Sequence, residues 1–237
     1  LARSGRPAVV AIDGRCGSGK SGLGDLMGRL LPCNVVHMDD YYLPPDRRAE
    51  NWEQIPAGNM DLARFLQEVL VPAGAGAQIR CRPYDCRSGT LREGTTLPAR
   101  PLTVVEGSYS QHPLLSARYD LRMFLTCAPE EQRRRLERLY DDPATRWRVS
   151  EGKLASAADY PHAYRLYDRL LSRSDFSFAP WTLINGEEKR SANLRIAETL
   201  CEALERALGV HLGRVDAGTD TGREVEAHRL AASLSAH

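Results

Sequence analysis

Lysine is scarce in this 237-residue chain: of 32 basic side chains, all but Lys20, Lys153 and Lys189 are arginine. The bias is compositional, and it makes each lysine worth inspecting. Long apolar runs are missing as well. None approaches the roughly 18–20 residues of a membrane span, which excludes a transmembrane helix. The opening LARSGRPAVV has no charged-then-apolar leader, so secretion is not expected. Thirty-two basic against 31 acidic residues leave a net charge of +1, too little for a global field that gathers nucleic acid or anionic lipid. No C-x-x-C pair occurs among the six cysteines (Cys16, Cys33, Cys81, Cys86, Cys127, Cys201). Their scatter predicts reduced thiols in a cytoplasmic protein rather than a disulfide frame or a zinc site. His37, His112 and His162 lack metal-ligand spacing and read as structural.

What is present is an ordinary globular composition, 42% hydrophobic and 27% charged, with length for one sizeable core. Ala8–Ile12 is a short continuous apolar run, the pattern of a buried parallel strand. After a glycine-rich stretch, Leu23, Leu26, Met27 and Leu30 fall on one helical face, ended by Pro32. Val35–Met38 reads as a second strand, and Tyr41 to Met60 as a loop rich in proline and charge. Asp61 is placed to cap a helix bearing Leu62, Phe65, Leu66, Val69 and Leu70. Residues 74–100 suggest loops or a small hairpin. Leu102–Val105 and Leu121–Cys127 are further strands, and Pro129 begins an arginine-dense helix. Helical segments near 141–153 and 156–172, a strand at Trp181–Ile184 and a helix from Ser191 to Leu208 complete the series. Strands alternating with helices predict a three-layer α/β/α fold around a mostly parallel sheet.

Gly14-Arg-Cys-Gly-Ser-Gly-Lys-Ser21 matches G-x-x-x-x-G-K-[ST] without a gap, between a buried strand and an amphipathic helix, where a phosphate loop belongs. Glycines let successive N–H groups curl into a nest, and the helix start adds partial positive charge. Gly14, Cys16, Gly17, Ser18, Gly19, Lys20 and Ser21 are thereby the expected triphosphate-binding residues. Lys20 is expected on the β- and γ-phosphates and Ser21 on Mg²⁺. No N-K-x-D or L-S-G-G-Q occurs, which argues against a GTPase switch and a transporter ATPase.

Two acidic positions follow strands. Asp39 comes after the second strand, where a carboxylate can take the proton of an acceptor hydroxyl and help hold the metal. Asp40 next to it has the plainer reading of a solvated turn or cap. Glu106 closes the apolar run LTVVE, and is expected to orient Mg²⁺ together with Ser21 and Asp39.

Through the segments AIDGRCGSGKS, HMDDYYLPPDRR, RPYDCRSGTL and LTVVEGSYSQHPLL, in that order, the chain resembles the uridine kinase and phosphoribulokinase branch of phosphate-loop kinases over roughly Ala8 to Leu183. It is similar to small bacterial proteins called uridine kinase-like. The resemblance implies one kinase domain over residues 1–209, with an arginine-bearing lid near 139–158 and a polar tail at 210–237. It makes Asp39 the base and a metal contact, Tyr42 an aromatic approaching the acceptor, and Tyr84 the wall of its base pocket. Arg135 and Arg138 (Arg134 nearly as well) would neutralise the transferring phosphate, although Arg133, Arg134, Arg135 and Arg138 can equally pair with Glu130, Glu131 and Glu137 along a solvated helix face. In place of the branch's N-F-D-H-P the chain has Asn51-Trp52-Glu53 and Asn59-Met60-Asp61, either able to supply the carboxylate that grips an acceptor. The base-reading histidine after Tyr84 is replaced by Arg87 and Ser88.

The expectation is therefore an ATP- and Mg²⁺-dependent kinase acting on the hydroxyl of a small molecule, a nucleoside first. The alternatives are another small alcohol (pantothenate-like, a sugar, an antibiotic) or an ATP-binding regulatory module without turnover. No nucleic-acid or membrane partner is expected.

Overall fold

The computed structural model describes residues 6–177 and 180–208; the tail expected at 210–237 lies outside them. β1 (Ala8–Gly14) is buried along its whole length. Its side chains alternate between two cores, as a strand in the middle layer requires. Val9 and Ala11 pack with Val36, Phe65, Val69 and Val105 on one face. Val10 and Ile12 pack with Leu23, Met27, Val104 and Ile196 on the other. Helices thus cover both faces of the sheet.

From β1 the chain enters α1 (Lys20–Leu30) and then β2 (Cys33–His37). Leu30 of the expected apolar face is 46% exposed. In its place Gly24 is buried, and a Cβ there would stand 3.1 Å from the Glu106 side chain. α1 leans on a strand-end carboxylate, and a bulkier face would not fit that approach. Met38 leaves the strand and opens a single tight turn, Met38–Asp40. Past the loop, α2 (Leu62–Phe65), a π-helical turn (Leu66–Leu70) and α3 (Val71–Gly74) follow one another directly.

The stretch expected as loops or a small hairpin holds two short antiparallel pairs. β3 (Ile79–Cys81) runs with β6 (Thr95–Leu97), and β4 (Tyr84–Asp85) with β5 (Thr90–Leu91) between them. β7 (Leu102–Glu106) and β8 (Leu121–Thr126) then enter the sheet on either side of β1. α4 (Pro129–Asp141), α5 (Glu151–Ala158) and α6 (Tyr160–Ser174) cross before β9 (Thr182–Asn185) and α7 (Lys189–Leu208).

The five-stranded sheet has the order β2-β7-β1-β8-β9, and every pairing in it is parallel. The chain leaves β1 toward β2 on one side and later crosses to β8 on the other. The crevice at the carboxyl end of β1 is therefore a topological switch point, where ligands bind in open α/β sheets. Among the described residues, no helix is long and apolar enough to cross a membrane.

Candidate functional site

The loop after β1 is built by glycine at a position no other residue can take. Gly14 has φ +143°, and a Cβ on it would lie 2.5 Å from the Leu125 carbonyl. Just before it, the fully buried Asp13 accepts from the N–H groups of Gly14 (2.6 Å), Tyr109 (3.1 Å) and Gln111 (3.1 Å). That ties the loop to the segment following β7. Burial pushes the Asp13 carboxyl up to about 6, against these three donors and nearby Lys20. Lys20 is itself buried, with Nζ donating to the Arg15 carbonyl at 2.8 Å. α1 starts at Lys20 without a side-chain cap, so its first N–H groups and the positive end of its dipole are offered to a ligand.

At the second residue of α1, the Ser21 hydroxyl donates to Glu106 Oε2 at 3.2 Å. Oε1 of the same buried carboxylate meets His37 Nδ1 at 2.5 Å. That hydrogen bond raises the His37 pKa, with burial opposing it. A hydroxyl and a carboxylate so close form a hard-oxygen pair that fits Mg²⁺. Among the described residues no three His, Cys, Asp or Glu side chains converge to hold a metal.

Asp39 is half-exposed and joins this cluster from the end of β2. Its Oδ1 accepts from the Tyr42 hydroxyl at 3.2 Å, and its Oδ2 lies 3.5 Å from Lys153 Nζ on α5. Burial works against the Lys153 charge, but Asp39, assisted by Glu106, outweighs it and the pKa rises. Burial and Asp39 likewise hold Tyr42 as a neutral phenol. Asp40 takes another environment: burial raises its carboxyl, and its backbone carbonyl accepts from Arg64.

Tyr42, Asp61 and Tyr84 line a single cleft, with Arg47 and Arg64 beside them. Of the two carboxylate segments left open by sequence, the fold brings Asp61 to this cleft. Glu53 is exposed, and its carbonyl accepts from His162 at 3.2 Å. Asp61 also caps α2 through the Arg64 N–H (3.1 Å) and pairs with the Arg64 guanidinium (3.4 Å). Arg87 does not line the cleft. It is exposed at the β4–β5 turn, where its N–H donates to Asp85. Arg47 is exposed at the cleft.

The arginine helix departs from expectation. Arg135 spends its guanidinium on Glu131 and on the carbonyls of Gly17, Ser18, Gly186 and Glu187. In a nest the N–H groups point inward and the carbonyls outward, so Arg135 grips the loop from behind instead of facing the phosphates. Arg138 is exposed, and Arg134 pairs with Glu131. A cation from α5, Lys153, stands instead within electrostatic reach of Cys16 in the loop, of Asp39 and of Glu106. Its only sequence signal was the rarity of lysine. Asp13, His37 and Gly24 carried no signal, because their partners come from distant segments.

A family model described as Polyphosphate kinase 2 (PPK2) matches residues 114–210, less than half of the chain. "ADP-polyphosphate phosphotransferase 3" of Rhizobium meliloti (strain 1021) is 23% identical over 195 residues, covering 81% of this chain and 65% of that protein. "Polyphosphate:AMP phosphotransferase" of Pseudomonas syringae pv. tomato is 30% identical over 225 residues, covering 86% of this chain and 39% of that protein. The chain thus spans less than two thirds of the length of either relative. The solved structure of Polyphosphate Kinase 2 from Arthrobacter aurescens TC1 superposes with a TM-score of 0.53 at 16% identity, over 95% of this chain and 78% of that one. The fold is that of the P-loop kinases.

Proposed function

We propose that this chain is a P-loop phosphotransferase that moves a terminal phosphoryl group between a phosphate chain and the phosphate of a nucleotide. The relatives named above support polyphosphate as the chain and an adenine nucleotide as the partner. The observation that carries the reading is one juxtaposition. The Asp39–Lys153 pair stands within electrostatic reach of Glu106, the partner of Ser21, and of Cys16 in the loop, and Asp39 accepts from Tyr42 of the cleft that also presents Tyr84 and Arg47.

In the transfer, the bond from phosphorus to the donor's bridging oxygen breaks, and its electrons leave with the donor. A new bond forms to a terminal oxygen of the acceptor phosphate. Mg²⁺, held by Ser21 and Glu106 with Asp39 beside them, would neutralise charge on the phosphate oxygens. Lys20 and Lys153 offer two further positive charges, and such preorganised charge is the main contribution a protein makes to phosphoryl transfer. Tyr42 and Tyr84 offer rings to a base, and Arg47 offers its charge to the acceptor phosphate.

A hydroxyl acceptor, as in the uridine kinase-like reading, is the second possibility, favoured by a carboxylate at Asp39 with a phenol donating to it. The two readings differ in proton accounting. A hydroxyl must lose a proton, whereas a phosphate monoester is largely ionised above its second pKa near 6.

The test is product analysis by ³¹P NMR and chromatography with Mg²⁺ present. Polyphosphate is offered with AMP, ADP or GDP, and ATP with uridine, other nucleosides and small alcohols. Nucleotide phosphorylation at the expense of polyphosphate is expected. Transfer from ATP to uridine with none from polyphosphate would overturn the proposal in favour of the second reading. ATP binding without transfer to any acceptor would favour a regulatory module.

A further inference from the structure

Arg15 is the second residue of the phosphate loop, yet its side chain leaves the loop sideways. It enters a pocket between β8 and α6 that is lined by Phe124, Leu125, Tyr164, Tyr167 and Leu171. The residue is 7% exposed, and its guanidinium lies 3.9 Å above the Tyr164 ring. Nη1 is buried without a hydrogen-bond acceptor among the described residues. The hydroxyls in the walls do not relieve it. Tyr164 donates to the Cys127 carbonyl at 3.2 Å and Tyr167 to the Gly14 carbonyl at 3.4 Å. Asp168 also lines the pocket but is exposed, and among the described residues no carboxylate pairs with Arg15. Arg135, by contrast, has every donor occupied by the protein. A guanidinium desolvated in this way is costly unless oxygen atoms meet it.

We infer that the flank of the loop is a second oxyanion site, in which Arg15 takes a phosphate group separate from those cradled by the loop's N–H groups. The guanidinium fork suits two oxygens of one phosphate, and the apolar walls exclude the water that would weaken the pairing. The Arg15 carbonyl is the acceptor of Lys20 Nζ at 2.8 Å, so one residue touches both sites. Two sources supply the same chemistry: free inorganic phosphate, or a distant part of the phosphate chain whose end lies in the cradle.

Calorimetric titration of the whole chain with inorganic phosphate reads the site without turnover, so its result stands apart from that of the transfer assay. Two phosphates per wild-type chain are expected. Lys20→Ala and Arg15→Gln should each leave one. Leu171→Trp, which fills the pocket while keeping Arg15, should also leave one, and it keeps the test open if Arg15→Gln misfolds. A single phosphate removed by Lys20→Ala, or two retained in both pocket variants, would overturn the inference. Acetate displacing the Arg15-dependent phosphate at equal concentration would overturn the assignment to phosphate. A second titration distinguishes the sources, and either result upholds the site. Tenfold or greater weakening of long polyphosphate by Arg15→Gln, with tripolyphosphate unaffected, assigns the pocket to the chain. Equal binding of both polymers to wild type and variant assigns it to free phosphate.

Discussion

Asp39 and Lys153, 3.5 Å apart, mean different things for different acceptors, and the difference can be measured. A base for a hydroxyl contributes about 10²–10⁴ in rate, so with a nucleoside Asp39→Asn should be severe and insensitive to added metal. With a nucleotide there is no proton to remove. Asp39→Asn should then cost about tenfold or less at saturating Mg²⁺, and the pH–rate profile should keep its shape. Lys153→Met removes a charge from the transferring group and should lower kcat by about 10²-fold, with a smaller change in KM, as for an interaction made mostly in the transition state. A folded Lys153→Met protein with wild-type kcat would remove Lys153 from the chemistry.

Asp13 gives a stability prediction of definite sign. Its pKa is near 6 in the folded chain against an ordinary 3.8. The folded state therefore takes up a proton that the unfolded state refuses until lower pH. Relative to Asp13→Asn, the wild type should gain roughly 3 kcal/mol as pH falls from about 7 to about 3. That gain should be complete below the unfolded value and lost again as pH rises through about 6. Urea midpoints of the two proteins across this range check it, and a pH-independent difference would contradict it.

At the scale of elements, α4 is the support behind the phosphate loop. Gln132 Nε2 donates to the Cys16 carbonyl, and Arg135 holds Gly17, Ser18 and the turn after β9 together. Arg135→Met should therefore lower the melting temperature by several degrees and raise the donor KM. Arg138→Ala, on the exposed face, should change neither, as is usual for surface sites. Thermal melts and initial rates on the two variants decide the point; equal effects would show that Arg135 is not a support. The sequence indicated that this helix is rich in arginine but not which arginine turns inward, because the carbonyls that capture Arg135 belong to the loop and to residues near 186. The phosphate loop was legible for the opposite reason: it is contiguous, and its glycines and lysine act on their own backbone. Asp61 shows an intermediate case. Its capping role follows from local order, while its place in the cleft depends on the β4–β5 turn folding back over it.

For the whole molecule, the alternation of strands and helices was enough to predict the three layers, and the acids at the ends of β2 and β7 were legible as strand ends. The strand order was not, since nothing local states that β7 inserts between β1 and β2. That insertion affects how the protein is made. Among the described strands β1 comes earliest in the chain, yet its partners are far along it, Ala8 against Leu102 and Val10 against Leu121. At translation rates of ~5–20 residues per second, β1 waits roughly 5 to 20 s for a neighbour. Through that interval its apolar run and unpaired edges are exposed. Among the described strands, the one that will carry the phosphate loop thus waits longest for a partner, and its burial has to be completed late in synthesis.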